Sequence, residues 1–551
     1  MELTSWSLGN GVDWGLTAFR LFPVPEISIF FPKTFYKVTY MQDTNDQVQA
    51  RLDKLEKFRE MGVNPYPHKF NRTHTSEMLR TQKEELLKSG EKISFAGRIV
   101  RYNRKGKLCF MHLKDRYGRL QIVCAKDIIG ERDYEIVKMA DFGDFLGVEG
   151  TMMETKTGEY SVKAERVEML AKSVRPLPVP KEIVDENGNR KVFNEFKDVD
   201  TRYRERYIDM ALNDDVREVF LKRSRILQAI REYLLENKFI EVETPTLQPI
   251  YGGANAKPFT THHNAADMTL YLRVAPELYL KRCIVGGMER VFEFSKNFRN
   301  EGMDRTHSPE FTGLEFYQAY ADYNDMMVHF ENIYERAAIA ANGTTKVNYQ
   351  GTEIDFKAPW PRISMYDALK QYAGYDVKSM SDDDLKAELK RLGATMDGEW
   401  SRGRVVIELF EFTVEKKLVQ PTFIKDMPKE STPLCKGHRE DPDLIEQFEP
   451  YANGWELGNA YTELNDPIRQ RELLEDQVRR GRGGEGETHP MDENFIDAVE
   501  SGLPPTGGVG FGIDRMVMLL TNQQTIRDVI LFPLMKPEQV KQQRESSGSN
   551  E

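Results

Sequence analysis

The chain has 551 residues, 40% hydrophobic and 30% charged, with a formal net charge of −11. That length exceeds what one core ordinarily organises and implies two or more domains, while no stretch offers the ~18 uncharged apolar residues that a membrane span needs. The acidic balance excludes nucleic-acid binding through overall charge alone, and the scattered Cys109, Cys124, Cys283 and Cys435 exclude a CxxC zinc knuckle and a disulfide framework, so a reducing, cytoplasmic setting with no membrane is expected.

Residues 1–40 are aromatic and proline-punctuated, with acids Glu2, Asp13 and Glu26 against bases Arg20, Lys33 and Lys37, unlike an Arg-rich, acid-poor transit peptide. They read as an extension that translation from Met41 would omit. Residues 41–90 read as a helical segment carrying Leu52, Leu55 and Phe58 at three-residue spacing. Over 91–172 short alternating runs recur, among them Ile93-Ser-Phe-Ala-Gly-Arg-Ile-Val, Leu108-Cys-Phe-Met-His-Leu and Leu120-Gln-Ile-Val-Cys, and predict a five-stranded β-barrel with Gly-rich turns. Within it Arg98, Arg101, Arg104, Lys105, Lys107, Lys114, Arg116 and Arg119 stand against the single acid Asp115, a candidate polyanion-binding face.

Residues 173–204, opening with Arg175-Pro-Leu-Pro-Val-Pro-Lys, read as a stiff linker. From 205 to 537 a long helix over Val216 to Asn237, with Ile226, Leu227, Ile230, Leu234 and Leu235 as its apolar face, leads into the strand Phe239-Ile-Glu-Val-Glu ended by Pro245. Strand-like and helical segments then alternate without a βαβ rhythm, which predicts an α+β domain on an antiparallel sheet flanked by helices. Asp382 to Arg391 reads as a surface helical insertion, and 538–551 as a disordered polar tail.

Three segments of this domain carry chemistry. Phe298-Arg299-Asn300-Glu301 precedes a loop and His307-Ser-Pro-Glu-Phe311; on a strand, Arg299 and Glu301 face one side, where arginine can clamp a phosphate, glutamate can accept from an adenine amino group and Phe311 can stack. Phe448-Glu449 through Glu456 to Glu463 repeats carboxylates with little compensating base, and Pro450 and Gly454 place Glu449 and Glu456 on neighbouring strands, a pair able to hold Mg²⁺ against phosphates. Gly507-Gly-Val-Gly510-Phe-Gly512-Ile-Asp-Arg515 fits neither GxGxxG nor a P-loop, but its small residues admit a nucleotide that Arg515 can grip. Taken singly, these are a surface ion pair, solvated strand acids and a tight turn. His262-His263 lacks a third ligand at metal spacing and reads as a loop pair, and Lys436-Gly-His438-Arg439 as a charged turn without an assigned role.

Together and in this order, with the Val216 to Pro245 unit as the first, the segments resemble the signature motifs of class II aminoacyl-tRNA synthetases, and the barrel resembles their anticodon-binding OB domain. Tyr271-Leu-Arg-Val-Ala-Pro-Glu277-Leu-Tyr-Leu-Lys, Asn297-Phe-Arg-Asn-Glu-Gly and Gly458-Asn-Ala-Tyr-Thr-Glu-Leu-Asn-Asp-Pro are similar to lysyl-tRNA synthetases, with aspartyl- or asparaginyl-tRNA synthetase as the alternative. The resemblance runs from about Gln47 to Pro537. It implies lysine, ATP and tRNA(Lys) as substrates, Mg²⁺ as cofactor and a homodimer built on the first motif. Arg299 and Arg515 are implied as the catalytic residues and, with Glu301, His307 and Phe311, as the ATP site. Gly253 and Glu277 would take the α-amino group of lysine, Glu463 and Tyr317 its ε-ammonium and Arg299 its carboxylate, with Asn459 and Tyr461 as wall; Glu449 and Glu456 would hold the metal. Phe110 and Gln121, with Arg98 and Glu159, would read the anticodon, although Phe110 also reads as a barrel-core residue. A protein-lysylating relative would lack the barrel, and a non-enzymatic one would have lost Arg299, Glu449, Glu456 or Arg515; all are present.

Overall fold

The computed structural model describes residues 46–178, 181–184, 190–193, 196–394, 400–482 and 490–537. The extension read over 1–40, residues 41–45 and the tail 538–551 lie outside the described residues. Contacts divide the chain into two compact units, Met1–Val179 and Pro180–Glu551.

In the first unit, helix α1 (Asp46–Glu60) buries Leu55 and Phe58. Five strands, β1 (Ile93–Lys105), β2 (Leu108–Lys114), β3 (Arg119–Ala125), β4 (Phe145–Glu154) and β5 (Tyr160–Ala171), close into a barrel in the order β1-β2-β3-β5-β4. Period-two alternation sends Cys109, Met111 and Leu113 into the core and leaves Phe110 half-buried on the other face. Asp115, the one acid in the basic run, is buried and accepts from the Ser76 hydroxyl (2.6 Å) and the Tyr117 amide (2.9 Å), so its charge does not offset the bases at the surface.

The second unit opens where a linker was expected. Strands β6 (Lys181–Val184) and β7 (Arg190–Phe193) pair antiparallel, and a helix follows at Val199–Arg204. In sequence, Asn187-Gly188 between Lys181-Glu-Ile-Val and Arg190-Lys-Val-Phe is a hairpin turn signature that the neighbouring prolines and the lack of apolar alternation obscure. The long helix α2 (Asp214–Glu236) starts slightly earlier than expected and buries Val219, Ile226, Ile230, Tyr233 and Leu234. Leu235, assigned to that face, is 49% exposed, because one residue further on is ~100° around the helix. The predicted strand after it shrinks to β8 (Ile240–Glu241), an edge strand that pairs parallel rather than antiparallel with its single neighbour.

That neighbour belongs to the central sheet, whose other members are named here in chain order. They are β9 (Arg290–Phe298), β10 (Glu310–Ala319), β11 (Arg362–Ser364), β12 (Thr422–Pro428), β13 (Leu444–Ala452), β14 (Trp455–Glu456), β15 (Gly458–Thr462) and β16 (Thr506–Gly512). The order is β11-β12-β13-β15-β16-β10-β9-β8, with β14 folded back on β13. The ladders are antiparallel except at the two edges, β11–β12 and β9–β8. Helix α2 and the helix α4 (Tyr323–Asn342) cover one face with a core that includes Phe292, Phe316, Phe330, Phe423, Phe448 and Phe511; a shorter helix, α3 (Glu277–Val285), precedes β9. The opposite face carries the polar groups.

Two smaller expectations change. His262 and His263 lie on a strand, Thr260–His263, hairpinned to Met268–Leu272, and His263 Nδ1 accepts from the Ala266 amide at 3.0 Å, closing the turn. Asp382–Arg391 is helical with a Ser381/Asp384 capping box, but it also buries Leu385 and Leu389, so it is anchored to the domain and not merely a surface appendage.

Candidate active site

Alternation along β10 sets Gly313, Glu315 and Tyr317 on one side, and the glycine-rich β16 beside it leaves that side low, so a cavity of about 410 Å³ opens on the sheet. Its lining includes Gly253, Glu277, Arg299, Glu301, His307, Phe311, Tyr317, Glu456, Asn459, Tyr461, Glu463 and Arg515. Every residue assigned above to ATP or lysine is therefore brought to one hollow.

One end is acidic. Glu277, in the first turn of α3, is 5% exposed, and Glu463, just past β15, is 1% exposed. Between them, from the next turn of α3, stands Lys281, 2.7 Å from Glu277 Oε1 and 2.5 Å from Glu463 Oε2. The second approach is close but off the hydrogen-bonding direction, and neither oxygen of Glu463 makes a hydrogen bond among the described residues. Burial pushes the Glu463 carboxyl up to about 8 against the opposing pull of Lys281, whose ammonium is stabilised by Glu277 and Glu463 against its own burial. The two directions agree on an attractive contact.

Glu315, which the sequence reading missed, completes this end. Burial, then the charge of Glu277, raises its carboxyl to about 8, and it accepts from the Tyr317 hydroxyl at 3.0 Å. With its O–H directed to Glu315, the neutral phenol keeps its oxygen lone pairs for a cation. Two glycines are required here. A Cβ on Gly508 would stand 2.1 Å from Glu463 Oε1 and 2.4 Å from the Tyr317 ring; Gly253 adopts φ +86° with its Cβ direction 2.8 Å from that of Glu277.

The other end is basic and aromatic. The expected pairing of Arg299 and Glu301 on one strand face is not found: β9 ends at Phe298, where its ladder with β10 closes on Glu310, and both residues lie in the following loop. Glu301 is exposed; Arg299 lies over the Phe311 ring, 5.1 Å from its centroid, with Nε buried and unbonded among the described residues. Arg515, in the first turn of helix α5 (Ile513–Leu520), donates to the Glu456 carbonyl at 2.9 Å and meets His307 Nε2 at 3.1 Å, while His307 Nδ1 bonds Asp304 at 2.7 Å. Asp514 beside it braces the floor, accepting from the Thr312 amide at 2.7 Å and from Arg223 of α2 at 2.6 Å.

Glu449 and Glu456 stand on β13 and β14, where Tyr451 pairs with Glu456. Burial, then the charge of Glu456, lifts the Glu449 carboxyl to about 8, although Tyr451 donates to it at 2.6 Å. Gln447, also missed, bridges this pair to the cavity by donating to Asn459 Oδ1 at 3.0 Å. Among the described residues no group of three or more His, Cys, Asp or Glu is placed to hold a metal. Arg439 of the charged turn is occupied by Glu446 and Asp322.

With this geometry in place the comparisons are decisive. Residues 198–536 match the family model of tRNA synthetases class II (D, K and N), and residues 93–170 that of an OB-fold nucleic acid binding domain. The chain belongs to the class II tRNA synthetases. A lysine–tRNA ligase of Clostridium novyi (strain NT) is 47% identical over 506 residues, covering 90% of this chain and 95% of its own. One of Pelotomaculum thermopropionicum is 47% identical over 499 residues, covering 90% and 96%, and one of Christiangramia forsetii 46% identical over 510, covering 91% and 88%. Among the described residues of this class II synthetase no helix is long and apolar enough to cross a membrane.

On the synthetase's barrel, Phe110 and His112 share a face of β2, His112 pairs with Gln121 of β3 and lies 3.2 Å from Glu159, and Gln121 donates to the Ser161 hydroxyl at 2.9 Å. Arg98 is not part of this group: it stacks on Phe145 and donates to the Gly143 carbonyl at 3.2 Å.

Proposed function

We propose that this chain is a lysine–tRNA ligase, which activates lysine with ATP to lysyl-adenylate and pyrophosphate and passes the lysyl group to the terminal ribose of tRNA(Lys). The observation that carries the reading is one cavity with Glu277, Glu315 and Glu463 at one end and Arg299 and Arg515 at the other, since lysine brings two ammonium groups and a carboxylate to be joined to an anionic phosphate. Glu277 and Gly253 bind the α-amino group, Glu463 and Tyr317 the ε-ammonium, and Asn459 and Tyr461 wall the chain. Arg299 holds the lysine carboxylate against the α-phosphate; its unbonded Nε and its place on Phe311 suit that role. Glu301, His307, Phe311 and Arg515 hold ATP. No side-chain nucleophile is needed, because the lysine carboxylate itself attacks phosphorus.

Glu449 and Glu456 fit Mg²⁺: they are hard oxygen donors on adjoining strands, both raised by burial and Glu449 further by the charge of Glu456, and magnesium is commonly held by one or two carboxylates plus substrate phosphates. When bound, the ion would offset charge on the departing pyrophosphate.

The test is ATP–pyrophosphate exchange with lysine, aspartate or asparagine as sole amino acid. Exchange with lysine alone is expected, and exchange with either of the others would overturn the reading.

The barrel face that carries Phe110, Gln121 and Glu159 supports anticodon recognition by stacking on Phe110 and edge bonding at Gln121 and Glu159, without Arg98. Phe110→Ala is expected to raise KM for tRNA by about tenfold, the ~1–3 kcal/mol of one stacked base, while leaving pyrophosphate exchange unchanged; an equal loss in both assays would assign Phe110 to folding. A homodimer is also proposed, because Leu235 and Ile240 of the first motif, and Leu247 just beyond it, are 49%, 48% and 47% exposed, apolar side chains that a partner would cover. Light scattering should give twice the chain mass, and an active monomer at assay concentration would remove the dimer.

A further inference from the structure

Lys281 is unusual for a residue outside the cavity lining. It is fully buried, its side chain 1% exposed, and its two charged neighbours are the carboxylates that flank the amino-acid end of the cavity. On its other side lies the Phe495 ring, 5.9 Å from Nζ, which offers no hydrogen bond. An ammonium in such surroundings is expensive, and where packing alone is wanted a buried ion pair is usually replaceable by an apolar side chain at no loss. The helix places it there by the i, i+4 spacing from Glu277, and the sheet brings Glu463 to it from the far side.

The two carboxylates are divided by this contact. Lys281 meets Oε1 of Glu277 and Oε2 of Glu463, whereas Oε1 of Glu463 stands next to Gly508 and Tyr317, which line the cavity. We propose that Lys281 is a positioning residue for amino-acid recognition: held between Glu277 and Glu463, it fixes both carboxylates and turns the remaining oxygen of Glu463 toward the substrate's ε-ammonium. The proposal rests on the lysine–tRNA ligase reading and names a residue of that site which does not itself touch substrate.

The groups facing Glu463 are Lys281 and Glu277 from α3, Tyr317 from β10, with Glu315 behind it, Tyr461 near the end of β15 and Cys435, which bridges to Glu463 through its backbone. Burial holds the two phenols and the thiol neutral, so Lys281 is the one cation among them. Glu463 binds an ammonium only as the carboxylate, so lysine affinity falls as pH drops through its pKa. Removing Lys281 raises that pKa and moves the fall to higher pH.

Lysine-dependent pyrophosphate exchange is measured from about pH 6 to about pH 9 for wild type, Lys281→Met and Lys281→Arg. In the Met variant, KM for lysine is expected to rise about tenfold or more near neutrality, with kcat and KM for ATP within about twofold. Its pH midpoint is expected to move up by about one unit. The Arg variant keeps the charge, and its midpoint stays at the wild-type value. A Met variant with wild-type lysine KM and midpoint overturns the proposal, as does a parallel loss of kcat, lysine and ATP affinity with an unmoved midpoint, which marks a purely structural role. If the Met variant does not fold, an upward midpoint in the Arg variant overturns it and an unshifted one supports it. Absence of lysine-dependent exchange in wild type would sink the ligase reading instead, a distinct result.

Discussion

Arg299→Ala is expected to lower lysine-dependent pyrophosphate exchange by about 10²–10³-fold, the loss that follows removal of one preorganised donor from a developing anion. The residue sits where the β9 ladder has ended, over the Phe311 ring and open to the cavity. Its guanidinium makes few bonds that the fold depends on, so the variant should unfold near the wild-type temperature. With the charge gone, nothing else at that point would neutralise both the attacking carboxylate and the α-phosphate, and kcat should suffer with KM. Near-normal exchange in the folded variant would remove Arg299 from the reaction.

Glu463→Gln keeps the shape of the side chain and one acceptor but deletes its charge. Truncating one partner of a buried charged pair costs ~2–5 kcal/mol, so KM for lysine should rise by roughly 30-fold or more while KM for ATP changes little. Glu277→Gln should weaken lysine too, through the α-amino group that all amino acids share. Norleucine, which lacks the ε-ammonium, separates the two: the preference for lysine over norleucine should shrink in Glu463→Gln and persist in Glu277→Gln. An unchanged preference in Glu463→Gln would mean that another group selects lysine.

Much of this was legible in the sequence because it is local. Two-residue alternation marked the barrel strands, and the glycines before Arg515 marked a low strand leading into a helix. What was not legible depends on elements far apart in the chain. Lys281 and Glu463 are brought together only by the packing of α3 against the sheet, so a pocket inferred from motif acids alone omitted its resident cation. Glu315 was readable in principle, since an acid two residues before Tyr317 must share its strand face, but nothing local says that this face is buried. Arg299 and Glu301 were placed on a strand because their spacing allows it; where a hairpin ladder stops is set by the partner strand, here by the Phe298–Glu310 rung. The parallel edge strand β8 likewise turns on which neighbour is available.

The bracing of Asp514 has a mechanical consequence. One carboxylate joins the cavity floor, through the Thr312 amide, to Arg223 on α2, the helix whose C-terminal end carries the exposed Leu235 that a second subunit would cover. The long helix is thus fixed to the catalytic bed at one point, while its C-terminal end presents the exposed Leu235 on which the proposed dimer would form. If the proposed dimer forms there, substitutions at Leu235 or Ile240 should slow turnover per site even in molecules that stay paired, so that a weakened contact would register as a change in rate before the subunits part.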